Sequence, residues 1–104
     1  VHDAWNQAVY DARYVGSCPD DEINAGAKAA WKAGASAKEL GCITFKICVA
    51  TGLSTCECFE KAFWWTVKAG ASKHKAFKWV EKAVHNHYSW WRGYKYECGK
   101  DKCY

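Results

Sequence analysis

Seven cysteines among 104 residues constrain this chain more than any other feature. Cysteine at this density is typical of disulfide-stapled proteins from oxidising compartments, and an odd number leaves one sulfur without a partner in its own chain. The chain also begins at Val1 and contains no methionine, so we expect its N terminus to arise by processing of a precursor. These features predict an extracellular, secreted protein with one thiol that is free or joined to a second chain.

The composition predicts one compact domain over residues 1–104. Half of the residues are hydrophobic, and the chain contains one proline and eight glycines, which is unlike a disordered or collagen-like sequence. A chain of this size buries a modest core, so covalent staples would add substantially to its stability. No uncharged apolar stretch reaches the roughly 18 residues of a membrane span.

A short repeat marks the connections between predicted helices. The segment Lys-Ala-Gly-Ala-Ser occurs at residues 32–36 and again at residues 68–72. A glycine after a helical run commonly ends the helix, and a serine just beyond it can cap the next one. Ser36 and Ser54 each precede a glutamate by three residues, which is the pattern of a capping box. One interpretation is an internal repeat of residues 18–53 and 54–93, followed by a cysteine-containing tail, 94–104; the alternative is chance recurrence in a chain rich in alanine and lysine.

Stop and start signals define five predicted helices. They cover residues 3–15, 18–34, 37–50, 55–69 and 73–92, and the second is expected to turn Trp31 toward the core. The β-branched residues of the third leave a strand at 43–49 open, and the tail is too short and turn-rich for another helix. The sequence therefore predicts an all-α fold, a small disulfide-stapled bundle of about five helices in which one helix precedes two antiparallel helical hairpins.

The directions of these helices place six cysteines at one pole of the bundle. The six, which we predict to form disulfides, are Cys18, Cys48, Cys56, Cys58, Cys98 and Cys103. Their pairing stays open, although Cys56 and Cys58 should reach different partners among Cys18, Cys48 and the tail. Cys42 lies about 9 Å along the helix from Cys48, so it is the predicted free or intermolecular thiol.

The surroundings of Cys42 predict an interface. Phe45 and Val49 continue a second apolar row on the third helix, and a helix that is apolar on two sides is either fully buried or covered by a partner. A two-fold axis would bring two such rows together. We therefore expect either a buried thiol or a homodimer through Cys42 with Phe45 and Val49 as its patch.

Positive charge and tryptophan are concentrated in the second half of the chain. Residues 61–104 hold ten Lys or Arg against three Asp or Glu, and five of the seven tryptophans. On the helix predicted over residues 73–92, Trp79 and Trp90 share one face with Lys75 and Lys82. Lysines that flank exposed tryptophans suit an anionic membrane surface, and the same residues could meet a protein receptor or lie half-buried in the bundle.

The sequence offers little support for catalysis, metal binding or nucleic-acid binding. His74 and His85 are spaced too widely for a helical zinc pair, and Cys56-Glu57-Cys58 is one residue shorter than a zinc knuckle requires. No catalytic or nucleic-acid-binding motif occurs. We expect a non-enzymatic protein with no cofactor, no metal and no nucleic-acid partner.

The leading hypothesis is a secreted, cationic, tryptophan-rich protein that acts on membranes, as a host-defence protein or venom cytolysin does. One alternative is a non-enzymatic binding or signalling module, such as a pheromone, a carrier or a channel-targeting toxin. Another is a structural or surfactant component of a secretion.

Overall fold

The computed structural model describes residues 19–99, which form a helical bundle without strands. The helices are α1 (Pro19–Lys32), α2 (Ala37–Ala50), α3 (Thr55–Lys68), α4 (Lys73–His87) and α5 (Tyr94–Cys98). The all-α prediction is confirmed, and the strand considered at 43–49 is wrong because these residues lie in α2. The helix predicted over 3–15, and Cys18 and Cys103, lie outside the described residues.

A four-residue connector of the same form joins each of the first three helices to the next. Its glycine, Gly34, Gly52 or Gly70, has a φ of 98°, 94° or 111°, a left-handed conformation that glycine adopts without a steric penalty. Two residues later a serine accepts a hydrogen bond from the backbone N–H of the third residue beyond it. The capping box predicted at Ser36 is confirmed, since Glu39 also accepts from the Ser36 N–H.

The connectors recur every 18 residues. This period is half of the 36-residue offset between the two exact copies of Lys-Ala-Gly-Ala-Ser. The middle copy reads Thr-Gly-Leu-Ser, so identity alone does not reveal it. Each 18-residue unit comprises a helix of 14 or 15 residues and its connector, so residues 18 positions apart occupy equivalent places in successive helices. Ala30, Cys48, Thr66 and Val84 are successive equivalents, and all four are fully buried.

Helices α2, α3 and α4 pack on one another, while α1 packs mainly on α2. Gly41 sits where α2 approaches α3, and a Cβ atom at this position would collide with the Thr66 hydroxyl. Thr44 and Thr66 are buried, and their hydroxyls donate to the carbonyls of Leu40 and Ala62 at 2.6 and 2.7 Å. These bonds satisfy the hydroxyls without a partner from another helix.

The chain departs from the prediction after α4. This helix ends at His87 rather than near residue 92, because Tyr88 adopts an extended conformation with φ −122° and ψ 104°. The expectation that the tail holds no helix is also wrong, since residues 94–98 form α5. Tertiary contacts stabilise α5, which is too short to be stable from local propensity.

Tyr94 fastens α5 to the bundle. Its backbone N–H donates to Glu81 Oε2 at 3.2 Å, and its hydroxyl donates to Glu60 Oε1 at 2.6 Å. Its buried ring lies 4.6 Å from that of Phe59, centroid to centroid. A disulfide between Cys56 and Cys98 adds a covalent link from α3 to α5. Helix α5 is thus held by packing, hydrogen bonds and a covalent bond.

Because successive helices run in opposite directions, the bundle has two distinct ends. The cysteine pole comprises the start of α3, the ends of α2 and α4, and α5; it contains Cys48, Cys56, Cys58 and Cys98. The tryptophan pole comprises the ends of α1 and α3 and the starts of α2 and α4; it contains Trp31, Trp64 and Trp65. The predicted gathering of cysteines at one pole holds for these four.

Candidate functional site

The tryptophan pole exposes two large aromatic side chains. Trp31 and Trp64 are 38% and 48% exposed, whereas their neighbour Trp65 is half-buried between them and the bundle. Trp65 meets the edge of the Trp31 ring at a centroid distance of 6.4 Å, and its Nε1–H donates to Asn24 Oδ1 at 3.4 Å. Trp65 therefore bridges α3 to α1 and packs against the exposed ring of Trp31.

Lysine side chains surround these rings. Lys68 Nζ lies 4.9 Å from the Trp65 ring centroid, and Lys73 Nζ lies 5.8 Å from that of Trp64, both within cation–π range. The helix ends at this pole carry six lysines and one carboxylate, that of Glu39. The lysines are Lys28, Lys32, Lys38, Lys68, Lys73 and Lys75. The pole is therefore aromatic and strongly cationic.

A groove between α1 and α3 runs into this surface. It has a volume of about 520 Å³ and is lined by Asn24, Ala25, Lys28, Trp64, Trp65 and Lys68. A second hollow of about 570 Å³ shares Asn24 and both tryptophans but extends toward Glu57, Glu60 and Lys61. The groove thus changes from cationic at the tryptophan pole to partly acidic nearer the cysteine pole.

The membrane-contact residues predicted from the sequence are divided between the two poles. Lys75 and Lys82 are exposed, Trp79 is half-buried, and Trp90 is 55% exposed. The expectation that Trp79 and Trp90 share a helix face is wrong, because α4 ends before Trp90. Lys75 belongs to the tryptophan pole, whereas Lys82 borders a hollow of about 400 Å³ near α5.

Sequence reasoning missed Trp31 and Trp64 as surface residues. Trp31 follows the buried Ala30 and was expected to face inward, but α1 packs mainly on α2, which leaves the flank of α1 near α3 open. The adjacent pair Trp64-Trp65 did indicate that one of the two tryptophans would be exposed. Neighbouring residues on a helix point about 100° apart, so both side chains rarely reach one core.

The cysteine pole holds three sulfur environments within residues 19–99. Cys56 and Cys98 are bonded, with Cα atoms 5.7 Å apart. Cys48 and Cys58 are fully buried thiols in this structure, so their predicted oxidised state stays a prediction. Cys42 is a half-buried free thiol outside this cluster, and its predicted bond to a second chain also stays a prediction.

The predicted dimer patch is wrong for Phe45. This side chain is fully buried, and its ring meets those of His87 and Tyr88 at 5.8 and 6.3 Å. The end of α4 therefore covers the face of α2 that the sequence left for a partner. Val49 is half-buried and packs against the same core.

The hydrogen bond to Cys48 and burial together raise the pKa of the Cys58 thiol. Both causes favour the neutral thiol over the thiolate. Neither Cys48 nor Cys58 belongs to a group of three or more side chains that could hold a metal ion, and residues 19–99 contain no such group.

Within the same residues, no helix has the length and apolar character needed to cross a bilayer. Comparison with protein families, curated proteins and solved structures finds no match for this chain. Any functional assignment therefore depends on the surface chemistry of the bundle itself.

Proposed function

We propose that this is a secreted protein that binds anionic membrane surfaces through its tryptophan pole. The observation that carries the proposal is the placement of two exposed indoles, those of Trp31 and Trp64, among six lysines at one end of the bundle. Indole rings favour the boundary between lipid headgroups and acyl chains, and lysines are attracted to headgroup phosphates. The pole presents both groups on one surface.

Binding would begin with electrostatic attraction. The lysines draw the tryptophan pole toward a negatively charged leaflet, while the acidic start of α1 at the opposite pole disfavours the reverse orientation. The exposed indoles then enter the interface, and the rest of the bundle stays outside the hydrocarbon. This mode requires no membrane-spanning segment.

Co-sedimentation with vesicles tests the proposal. We expect the full chain to bind vesicles of mixed phosphatidylcholine and phosphatidylglycerol, to bind pure phosphatidylcholine weakly, and to lose affinity as salt is raised, because screening weakens the attraction. Trp31→Ser combined with Trp64→Ser should abolish most of the binding. The matched control is Trp90→Ser with Tyr96→Ser, which removes two exposed aromatic rings from the cysteine pole.

The control variant should bind as the unaltered protein does. Equal loss in both double variants would show that aromatic content, not the tryptophan pole, determines binding. The absence of salt-sensitive binding by the unaltered protein would refute the proposal outright. Dye leakage from the same vesicles then separates lysis from adsorption without damage.

The groove between α1 and α3 favours a second candidate, a non-enzymatic binding or signalling module. A hollow of about 520 Å³ with aromatic walls, two lysines and an amide is large enough for a small amphiphilic anion. Such a protein would bind detergent-like anions below their critical micelle concentration with one-to-one stoichiometry, as measured by calorimetry. It would not bind vesicles.

A further inference from the structure

Two buried thiols face each other beneath the connector between α2 and α3. Cys48 lies near the end of α2 and Cys58 near the start of α3, so the hairpin brings them together although they are ten positions apart in the sequence. Neither side chain is exposed, and Leu53 links the two residues, because its backbone N–H donates to the Cys48 carbonyl oxygen at 3.4 Å. The Cys58 thiol also donates to the carbonyl oxygen of Leu53, at 3.7 Å.

Among residues 19–99, the other two cysteine positions near this pair and Cys42 do not compete for either thiol. Cys56 is already bonded to Cys98, and Cys42 lies farther along α2 and outside the cluster. A disulfide requires side chains that approach closely from adjacent backbones, and an antiparallel hairpin supplies this arrangement. Cys48 and Cys58 therefore meet the requirement within the described part of the chain.

We infer that Cys48 and Cys58 form a second disulfide when the protein folds in an oxidising environment. The oxidant is a low-molecular-weight disulfide such as oxidised glutathione. One cysteine thiolate attacks it and releases one molecule of thiol, and the second cysteine attacks the resulting mixed disulfide and releases another. Each cysteine loses one proton, two electrons pass to the oxidant, and one intramolecular S–S bond forms.

Burial determines when this reaction takes place. The attacking species is the thiolate, and the environment of Cys58 raises its pKa, so the folded dithiol reacts slowly. Oxidation therefore accompanies folding, before α2 and α3 close over the pair. Once formed, the bond is shielded from reductants by the same packing.

Disulfide mapping tests this inference independently of any membrane activity. The full chain is refolded with reduced and oxidised glutathione, then denatured at mildly acidic pH and alkylated with N-ethylmaleimide, which stops exchange. Trypsin, chymotrypsin and endoproteinase Glu-C together cleave after Lys46, Leu53, Glu57 and Phe59, so the three cysteines of this region fall in separate peptides.

We expect most of Cys48 in a peptide pair that joins residues 47–53 to residues 58–59, and most of Cys56 joined to the peptide that contains Cys98. Recovery of Cys48 and Cys58 as alkylated peptides would overturn the inference, as would a bond from Cys48 to any other cysteine. A Cys42→Ala variant serves as the control and should give the same two cross-linked pairs. Vesicle binding could fail while this result stands, or the reverse.

Discussion

The two poles of the bundle differ in the interactions that stabilise them and in the side chains that they expose to solvent. At the cysteine pole, the Cys56–Cys98 disulfide and the two hydrogen bonds of Tyr94 fasten α5 to the bundle. At the tryptophan pole, the exposed rings of Trp31 and Trp64 lie beside lysines and add little to the core. Stability and surface chemistry are thus concentrated at opposite ends, so each can be altered with limited effect on the other.

Removal of the Cys56–Cys98 disulfide should have the largest effect on the stability of the cysteine pole. Cys56→Ala with Cys98→Ala removes a cross-link between residues 42 positions apart, and the chain-entropy estimate for a loop of this size is about 4 kcal/mol of unfolding free energy. Urea unfolding in an oxidising buffer measures it. Cys42→Ala is the matched control and should cost less than about 1 kcal/mol. Similar losses in the two variants would contradict the importance of the cysteine pole.

Tyr94→Phe should have the next largest effect. It removes the hydroxyl that donates to Glu60 at 2.6 Å but keeps the ring that packs on Phe59. We expect a loss of about 1–2 kcal/mol in unfolding free energy, since the bond is charge-assisted and partly buried. Tyr96→Phe is the control because Tyr96 is 72% exposed, and its stability should not change measurably. If Tyr94→Phe were equally neutral, packing alone would hold α5.

The buried Cys58 thiol predicts a pH dependence in the reduced protein. The unfolded Cys58 thiol ionises near its ordinary pKa of 9.0, whereas the folded thiol, whose pKa is raised, stays neutral. Alkaline pH therefore favours the unfolded state, and one such thiol costs about 1 kcal/mol between pH 8 and pH 10. Unfolding in a phosphine reductant should show this loss, and Cys58→Ala should show less. Identical slopes in both proteins would assign the alkaline loss to other groups.

Trp64→Ala should have the smallest effect on stability. The side chain is half exposed, and beyond its contacts with Phe63 and the Lys73 ammonium it contributes little to packing, so unfolding free energy should change by about 0.5 kcal/mol or less. Affinity for anionic vesicles should nevertheless fall about tenfold, which corresponds to about 1.4 kcal/mol. A variant that lost stability but kept its affinity would reverse the roles assigned to the two poles.

Most of the helical framework could be predicted from the sequence because its signals are local. Gly34, Ser36 and Glu39 act within a few residues of one another, and the structure uses each as the pattern indicates. The burial of Phe45 and the formation of α5 depend instead on contacts between distant segments. The end of α4 covers Phe45, and Tyr94 finds partners on α3 and α4.

The sequence predicted the types of residue in the candidate site but not most of their positions. The sequence indicated lysines interleaved with tryptophans, and Lys75 does lie at the tryptophan pole. Trp79 and Trp90 were placed together by assuming that α4 continued to residue 92, whereas Tyr88 ends the helical geometry. The exposure of Trp31 depends on the lateral packing of α1, which the hydrophobic pattern of a single helix does not specify.

The 18-residue repeat also determines whether the number of units between two points of the chain must be even or odd. Each unit reverses the direction of the chain, so an even number of units returns it to the end from which it started, and α4 accordingly ends at the same pole at which α1 begins. Deletion or duplication of α4 alone would deliver Cys98 to the end of the bundle opposite Cys56, out of its reach. Between these two cysteines, insertions should therefore be tolerated only in pairs of units, 36 residues at a time. The pair is thus the smallest length by which this part of the chain could grow and keep its disulfide.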